Sequence, residues 1–81
     1  MTESLGTPPD EVRIRDASIR LGQFLKLAGL IDSGADAKAV IAEGRVTVNG
    51  EVEYRRGRQL RVGDVVEHDG HGARVASITP S

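Results

Sequence analysis

At Gly44 the apolar period of this chain changes from about 3.6 residues to two, and that switch limits what it can fold into. Upstream, Leu21, Phe24, Leu25 and Ala28 fall at i, i+3, i+4 and i+7, the stripe of one buried helix face. Gly29 follows as a left-handed cap, with Leu30 placed to pack behind it. A second helix is announced by Ser33-Gly34-Ala35-Asp36. The Ser33 hydroxyl is placed to accept from the Asp36 backbone N–H, and the Asp36 carboxylate suits the positive end of the helix dipole. Ala37, Val40 and Ile41 form its stripe, and Gly44 ends it. Downstream, Val46 and Val48 alternate with Arg45 and Thr47 and run into Asn49-Gly50. That dipeptide is a strong hairpin signal, because both central residues of a type I′ turn need positive φ. Glu51-Val52-Glu53 is the expected return strand.

Further short strands flank this centre. Val12 and Ile14 alternate with Arg13 and Arg15. Gln59 to Val62 turns at Gly63-Asp64 into Val65 to Glu67, and Asp69-Gly70 turns that into Arg74 to Ile78. The expected fold class is α+β, a helix pair packed on a small, mostly antiparallel sheet of about four to five short strands. The 81 residues suffice for one small domain with a modest core. That domain is expected over residues 10–78, between a mobile N-terminal tail, 1–9, which carries Pro8-Pro9, and a C-terminal tail, 79–81.

Catalysis has little to work with. There is no cysteine, so disulfides and thiolate metal sites are excluded. His68 and His71 flank the Asp69-Gly70 turn, where they supply at most part of a metal site; they are read as exposed turn residues. No Gly-Lys-Ser/Thr phosphate loop is present. No metal, cofactor, small-molecule substrate or enzymatic activity is expected. The longest apolar run, Leu27 to Ile31, is far too short for a membrane span or a signal-peptide core, so a cytoplasmic location is expected.

Binding is better supported, through the distribution of charge. The net charge is only −1. Residues 19–61, however, carry eight bases and five acids, a net of +3 between flanks of −2 each. Arg20 lies at the start of the first helix and Lys38 in the first half of the second, both unfavourable places for a cation beside a helix dipole. An external anion held near both, at helix N-termini with free N–H groups, would relieve that conflict. Lys26 sits on the polar face of the first helix. Tyr54 to Val62 carries Arg55, Arg56, Arg58 and Arg61 and no acid, so this stretch is not expected to neutralise itself. Guanidinium groups bind phosphate oxygens through paired donors, and Gly57 lets a backbone approach closely. The candidate residues for contacting a polyanion's phosphates are therefore Arg20, Lys26, Lys38, Arg55, Arg56, Arg58 and Arg61. Phe24 belongs to the apolar stripe, which leaves Tyr54 as the one aromatic available for stacking. Single-strand readers need several such platforms, so folded RNA is the more natural partner.

The order Arg20-Leu21, Leu25, Gly29-Leu30, Ser33, Ala37-Lys38, Ile41, Gly44, Val46, Val48-Asn49-Gly50 and Gly63-Asp64 resembles the RNA-binding domain named after small-subunit ribosomal protein S-four. The resemblance spans residues 19–67. Leu21 to Leu27, Ser33-Gly34, Ala37-Lys38 and Arg55-Arg56-Gly57-Arg58 are similar to the small freestanding YaaA/YbcJ-like branch of that family. It implies a two-helix αL motif on a short sheet and an RNA-binding activity, with ribosomal RNA or a ribosome-assembly intermediate as partner. It also implies structural roles for Gly29, Leu30, Val48, Asn49, Gly50, Gly63 and Asp64. Many members of the wider family have an arginine directly after the helix-opening serine, where this chain has Gly34. Larger members also carry a synthetase or pseudouridine synthase domain, and none is expected here. Two functions follow as expectations. One is a monomeric, freestanding module for structured RNA. The other is a non-enzymatic protein-interaction adaptor on a ribosome-associated complex.

Overall fold

The computed structural model describes residues 10–78; the tails expected at 1–9 and 79–81 lie outside the described residues. In chain order the elements are β1 (Asp10–Ile14), β2 (Ser18–Arg20), α1 (Leu21–Leu27), α2 (Gly34–Ala42), β3 (Val46–Val48), β4 (Glu51–Val52), β5 (Gln59–Arg61), β6 (Val65–His68) and β7 (His71–Ser77). Five strands form one sheet in the order β1-β7-β6-β3-β4, antiparallel throughout except for the parallel β1–β7 pair. The fold is α+β, with two helices on this mostly antiparallel sheet.

Local signals place most of these elements. Both helices end in the same pattern, at Gly29 with φ +73° and at Gly44 with φ +74°. Leu30 N–H donates to Leu25 O and Gly29 N–H to Lys26 O, and Arg45 N–H donates to Val40 O and Gly44 N–H to Ile41 O. These are the paired bonds of a Schellman cap, which satisfy carbonyls left over at a helix end. Ser33 Oγ accepts the Asp36 N–H at 3.2 Å, as the sequence leads one to expect. Asn49 and Gly50 adopt φ +53° and +86°, the type I′ geometry that joins β3 to β4.

Two departures from the sequence reading stand out, one of them non-local. Gln59 to Arg61 does form a strand, but it does not pair with Val65 to Glu67. It leaves the sheet and pairs with β2 in a separate antiparallel ribbon, Ile19 opposite Leu60 and Arg20 opposite Gln59. The driving force is burial: Leu60 is fully enclosed in the core. The last strand starts at His71, earlier than expected, because the tight Asp69-Gly70 turn pairs His68 directly with His71.

The core lies between the helices and one face of the sheet. Leu21, Phe24 and Leu25 of α1 and Ala37 and Ile41 of α2 meet Val46, Val48, Val66, Ala73 and Val75 from the strands. Alternation along β7 shows the sheet period, with Ala73 and Val75 buried and Arg74 exposed between them.

Candidate nucleic-acid interface

β2 runs straight into α1, with Arg20 as an extended N-cap residue at φ −75° and ψ 146°. Arg20 supplies no side-chain acceptor to the helix. The arginine-rich loop caps it instead: Leu21 N–H donates to Arg58 O at 2.8 Å and Gly22 N–H to Arg56 O at 3.0 Å. The loop lies this close because residue 22 has no side chain. A Cβ on Gly22 would stand 2.8 Å from Arg56 Cγ, inside any ordinary contact. The expectation of an open helix N-terminus is thus corrected for α1, whose first two amides already have backbone acceptors.

The expectation that the arginine stretch cannot neutralise itself is also corrected. Its counter-charge is Glu53, one residue upstream, which is only 7% exposed. Glu53 Oε2 accepts from Arg55 N–H at 3.0 Å and Arg55 Nε at 3.1 Å. Its Oε1 accepts from Arg58 Nη1 at 2.8 Å and Arg55 Nη2 at 3.3 Å. The hydrogen bonds from Arg55 and then Arg58 hold the carboxyl down at about 2, against burial, which works the other way. The same bonds push the Arg55 guanidinium further up. Reading the charge window from Tyr54 onward misses Glu53, and hairpin register does not single it out, since the same register sets the exposed Glu51 opposite the buried Val48. A two-residue turn at Asn49-Gly50 sets Val48 opposite Glu51 and Thr47 opposite Val52, and so brings Glu53 beside the buried Val46. Glu53 N–H donates to Val46 O at 3.0 Å, continuing that register.

Arg56 is exposed and has no acidic partner in this network. With Arg20 and Lys26 it lines an open groove of about 370 Å³, whose other lining residues are Gly22, Gln23, Gly34, Ala37 and Gly57. Among the described residues no acid lines it. Three other grooves are larger but unsuited to a polyanion. One, of about 660 Å³, carries Asp10, Asp69 and His71; a second, of about 550 Å³, mixes Arg13 and Arg15 with Asp16, Leu27 and Ile78; and a third, of about 380 Å³, carries Asp32, Asp36 and Glu43. Three of the candidate cations therefore converge. Lys38 is exposed on α2, one position beyond the groove-lining Ala37, and is not part of the wall. Arg61 is exposed on β5; it shares a ribbon face with Arg20, because Gln59 lies opposite Arg20 and Arg61 two residues on. Arg55 and Arg58 face Glu53. Tyr54 is exposed, its ring lying across Gly44 at the end of α2. His71 is exposed, whereas His68 is half-buried, its Nδ1 3.2 Å from the Arg45 carbonyl. No helix among the described residues is long and apolar enough to cross a membrane.

A family model described as "S4 domain" matches residues 12–76. RlbA of Bacillus subtilis (strain 168), named as a probable ribosome maturation protein, is 53% identical over 62 residues, covering 76% of this chain and 87% of RlbA. YbcJ of Escherichia coli (strain K12), named as a putative RNA-binding protein, is 42% identical over 59 residues, covering 73% of this chain and 84% of YbcJ. The solution structure of E. coli YbcJ, described as revealing an αL motif involved in RNA binding, superposes with a TM-score of 0.69 at 33% identity, covering 95% of this chain and 98% of that one. The crystal structure of the 30S ribosomal protein S4e from Thermoplasma acidophilum gives a TM-score of 0.57 at 26% identity over 74% of this chain and 32% of that one.

Proposed function

The chain belongs to the S4 domain family, and from that premise we propose that it is a freestanding module that binds structured RNA through phosphate contacts. The observation that carries this is the convergence of Arg20, Lys26 and Arg56 on one acid-free groove. Three cations beside the open Gly34 and Gly57 let a phosphate backbone come close with no carboxylate among the described lining residues to compete. Lys38 and Arg61 flank that groove and extend the positive face. A-form RNA offers phosphates and 2′-hydroxyls across a wide minor groove and is read by shape, which suits a face with one exposed aromatic, Tyr54. The RNA is ribosomal RNA or a ribosome-assembly intermediate, a choice supported by the ribosome maturation name of RlbA and by the likeness to a 30S ribosomal protein. The module acts as a monomer in the cytoplasm and catalyses no reaction.

The test is co-sedimentation of the tagged chain with ribosomal particles from a lysate at low and high salt, beside a variant with Arg20, Lys26 and Arg56 all changed to Glu. Salt-sensitive co-migration that RNase treatment and the variant both abolish supports the proposal. Co-migration that survives RNase and the charge reversal would instead make the chain a protein-interaction adaptor.

A further inference from the structure

We propose that Glu53 is a positioning residue for this basic face: a buried acid whose grip on Arg55 and Arg58 sets Arg56 at the groove, so that a negative charge strengthens the binding of a polyanion. This rests on the RNA-binding proposal above.

Residues 53–58 have no regular secondary structure, so no strand or helix ladder fixes their path. Besides the Glu53 N–H bond to Val46 O and a turn closed by Arg58 N–H donating to Arg55 O at 3.2 Å, a pair of anchors fixes it. On one side the Glu53 carboxylate takes the Arg55 backbone N–H, the Arg55 guanidinium edge and Arg58 Nη1. On the other, the carbonyls of Arg56 and Arg58 cap α1. Arg56 lies between these anchors, and its aliphatic stem rests against Gly22. Charge-assisted bonds of this kind are short and directional, and they lose most when one partner is neutralised inside a buried site. A glutamine at position 53 would keep the shape but replace one acceptor oxygen by an NH2 group facing guanidinium donors.

Charge and geometry predict opposite outcomes here. Replacing Glu53 by Gln makes the face more positive by one charge. If charge alone governed binding, the variant would hold RNA more tightly and with a steeper salt dependence. If Glu53 positions the loop, the variant binds more weakly.

The experiment measures fluorescence anisotropy of a fluorescein-labelled RNA stem-loop with the full chain across a salt series, for wild type, Glu53→Gln and Gly22→Ala. Amide hydrogen exchange is followed at Leu21 and Gly22, whose N–H groups bond the loop carbonyls, and at Val75, bonded to Asp64 O as an internal control. Glu53→Gln is expected to bind about five- to tenfold more weakly. In it Leu21 and Gly22 should exchange about tenfold faster while Val75 is unchanged, which shows that the fold persists. Gly22→Ala alters no charge and displaces the Arg56 stem, so it should weaken binding in the same way. Equal or tighter binding by Glu53→Gln overturns the proposal, as does unchanged exchange at Leu21 and Gly22. If wild type fails to bind the stem-loop at any salt, the RNA-binding proposal falls separately; unchanged exchange in Glu53→Gln would still overturn the positioning role.

Discussion

The Asn49 carboxamide ties together two turns that lie fifteen residues apart: its Nδ2 donates to Asp64 Oδ1 at 3.1 Å. Its Oδ1 accepts the Val65 N–H at 2.9 Å, and its own N–H donates to Val65 O at 2.7 Å. Asp64 Oδ2 in turn accepts the Arg61 N–H at 2.9 Å. The β3–β4 hairpin is thereby fastened to the point where the chain leaves β5, the ribbon strand beside Arg20, and enters the main sheet.

Asn49→Ala removes both side-chain bonds and places a Cβ-bearing residue without a local polar contact at φ +53°. It should cost about 2 kcal/mol and lower Tm by roughly 10 °C. Asn49→Gly loses the same bonds but tolerates the backbone, so it should cost less. Thermal unfolding by circular dichroism checks both, and equal losses would mean that backbone strain contributes nothing.

Each single change Arg20→Ala, Lys26→Ala or Arg56→Ala should weaken binding of structured RNA. Each should also lower the slope of log K against log salt by about 0.7–0.9 for every phosphate no longer neutralised. Lys38→Ala and Arg61→Ala, outside the groove wall, should have smaller effects. Filter binding over a salt series separates the two groups; indistinguishable slopes would remove the groove from its central place.

Gly34 opens α2 beside the groove, and a Cβ there meets nothing within 4 Å. Gly34→Arg therefore adds a cation to the wall without a clash. It should tighten RNA binding and steepen the salt slope by about 0.7–0.9. Stability should stay within roughly 1 kcal/mol, since the gain in helix propensity offsets an unfavourable cation at the dipole. An unchanged slope, measured in the same assay, would mean that RNA does not pass the N-terminus of α2.

The Glu53 carboxyl titrates at about 2 in the folded chain against an ordinary 4.5. The unfolded chain therefore takes up that proton first as pH falls. The stability contributed by Glu53 is complete above the ordinary value and is lost as pH drops through the folded one. Glu53→Gln should be less stable than wild type at pH 7, and the gap should close between about pH 5 and pH 2. Urea unfolding midpoints across that range test this; a gap that stays constant would mean that the carboxylate pairing contributes no pH-dependent stability.

Much of this molecule is legible residue by residue. The stripe Leu21-Phe24-Leu25, the Ser33 cap, the glycine stops at 29 and 44 and the Asn49-Gly50 turn all rest on contacts within about five positions. Contacts of that range carry little loop-closure cost, so the pattern of side chains is enough to specify them.

Other features depend on which distant segments can bury surface together, and spacing along the chain does not encode that. Leu60 leaves the sheet to face Ile19 across a two-stranded ribbon, and β1 lies parallel to β7 with most of the chain between them. The RNA face shows the difference best. Seven cations are candidates from their positions in the chain. The fold brings Arg20, Lys26 and Arg56 to one groove and turns Arg55 and Arg58 back onto Glu53. A cation free for a phosphate differs from one held by a carboxylate only in what stands beside it after the chain has closed, and that neighbour is supplied by packing.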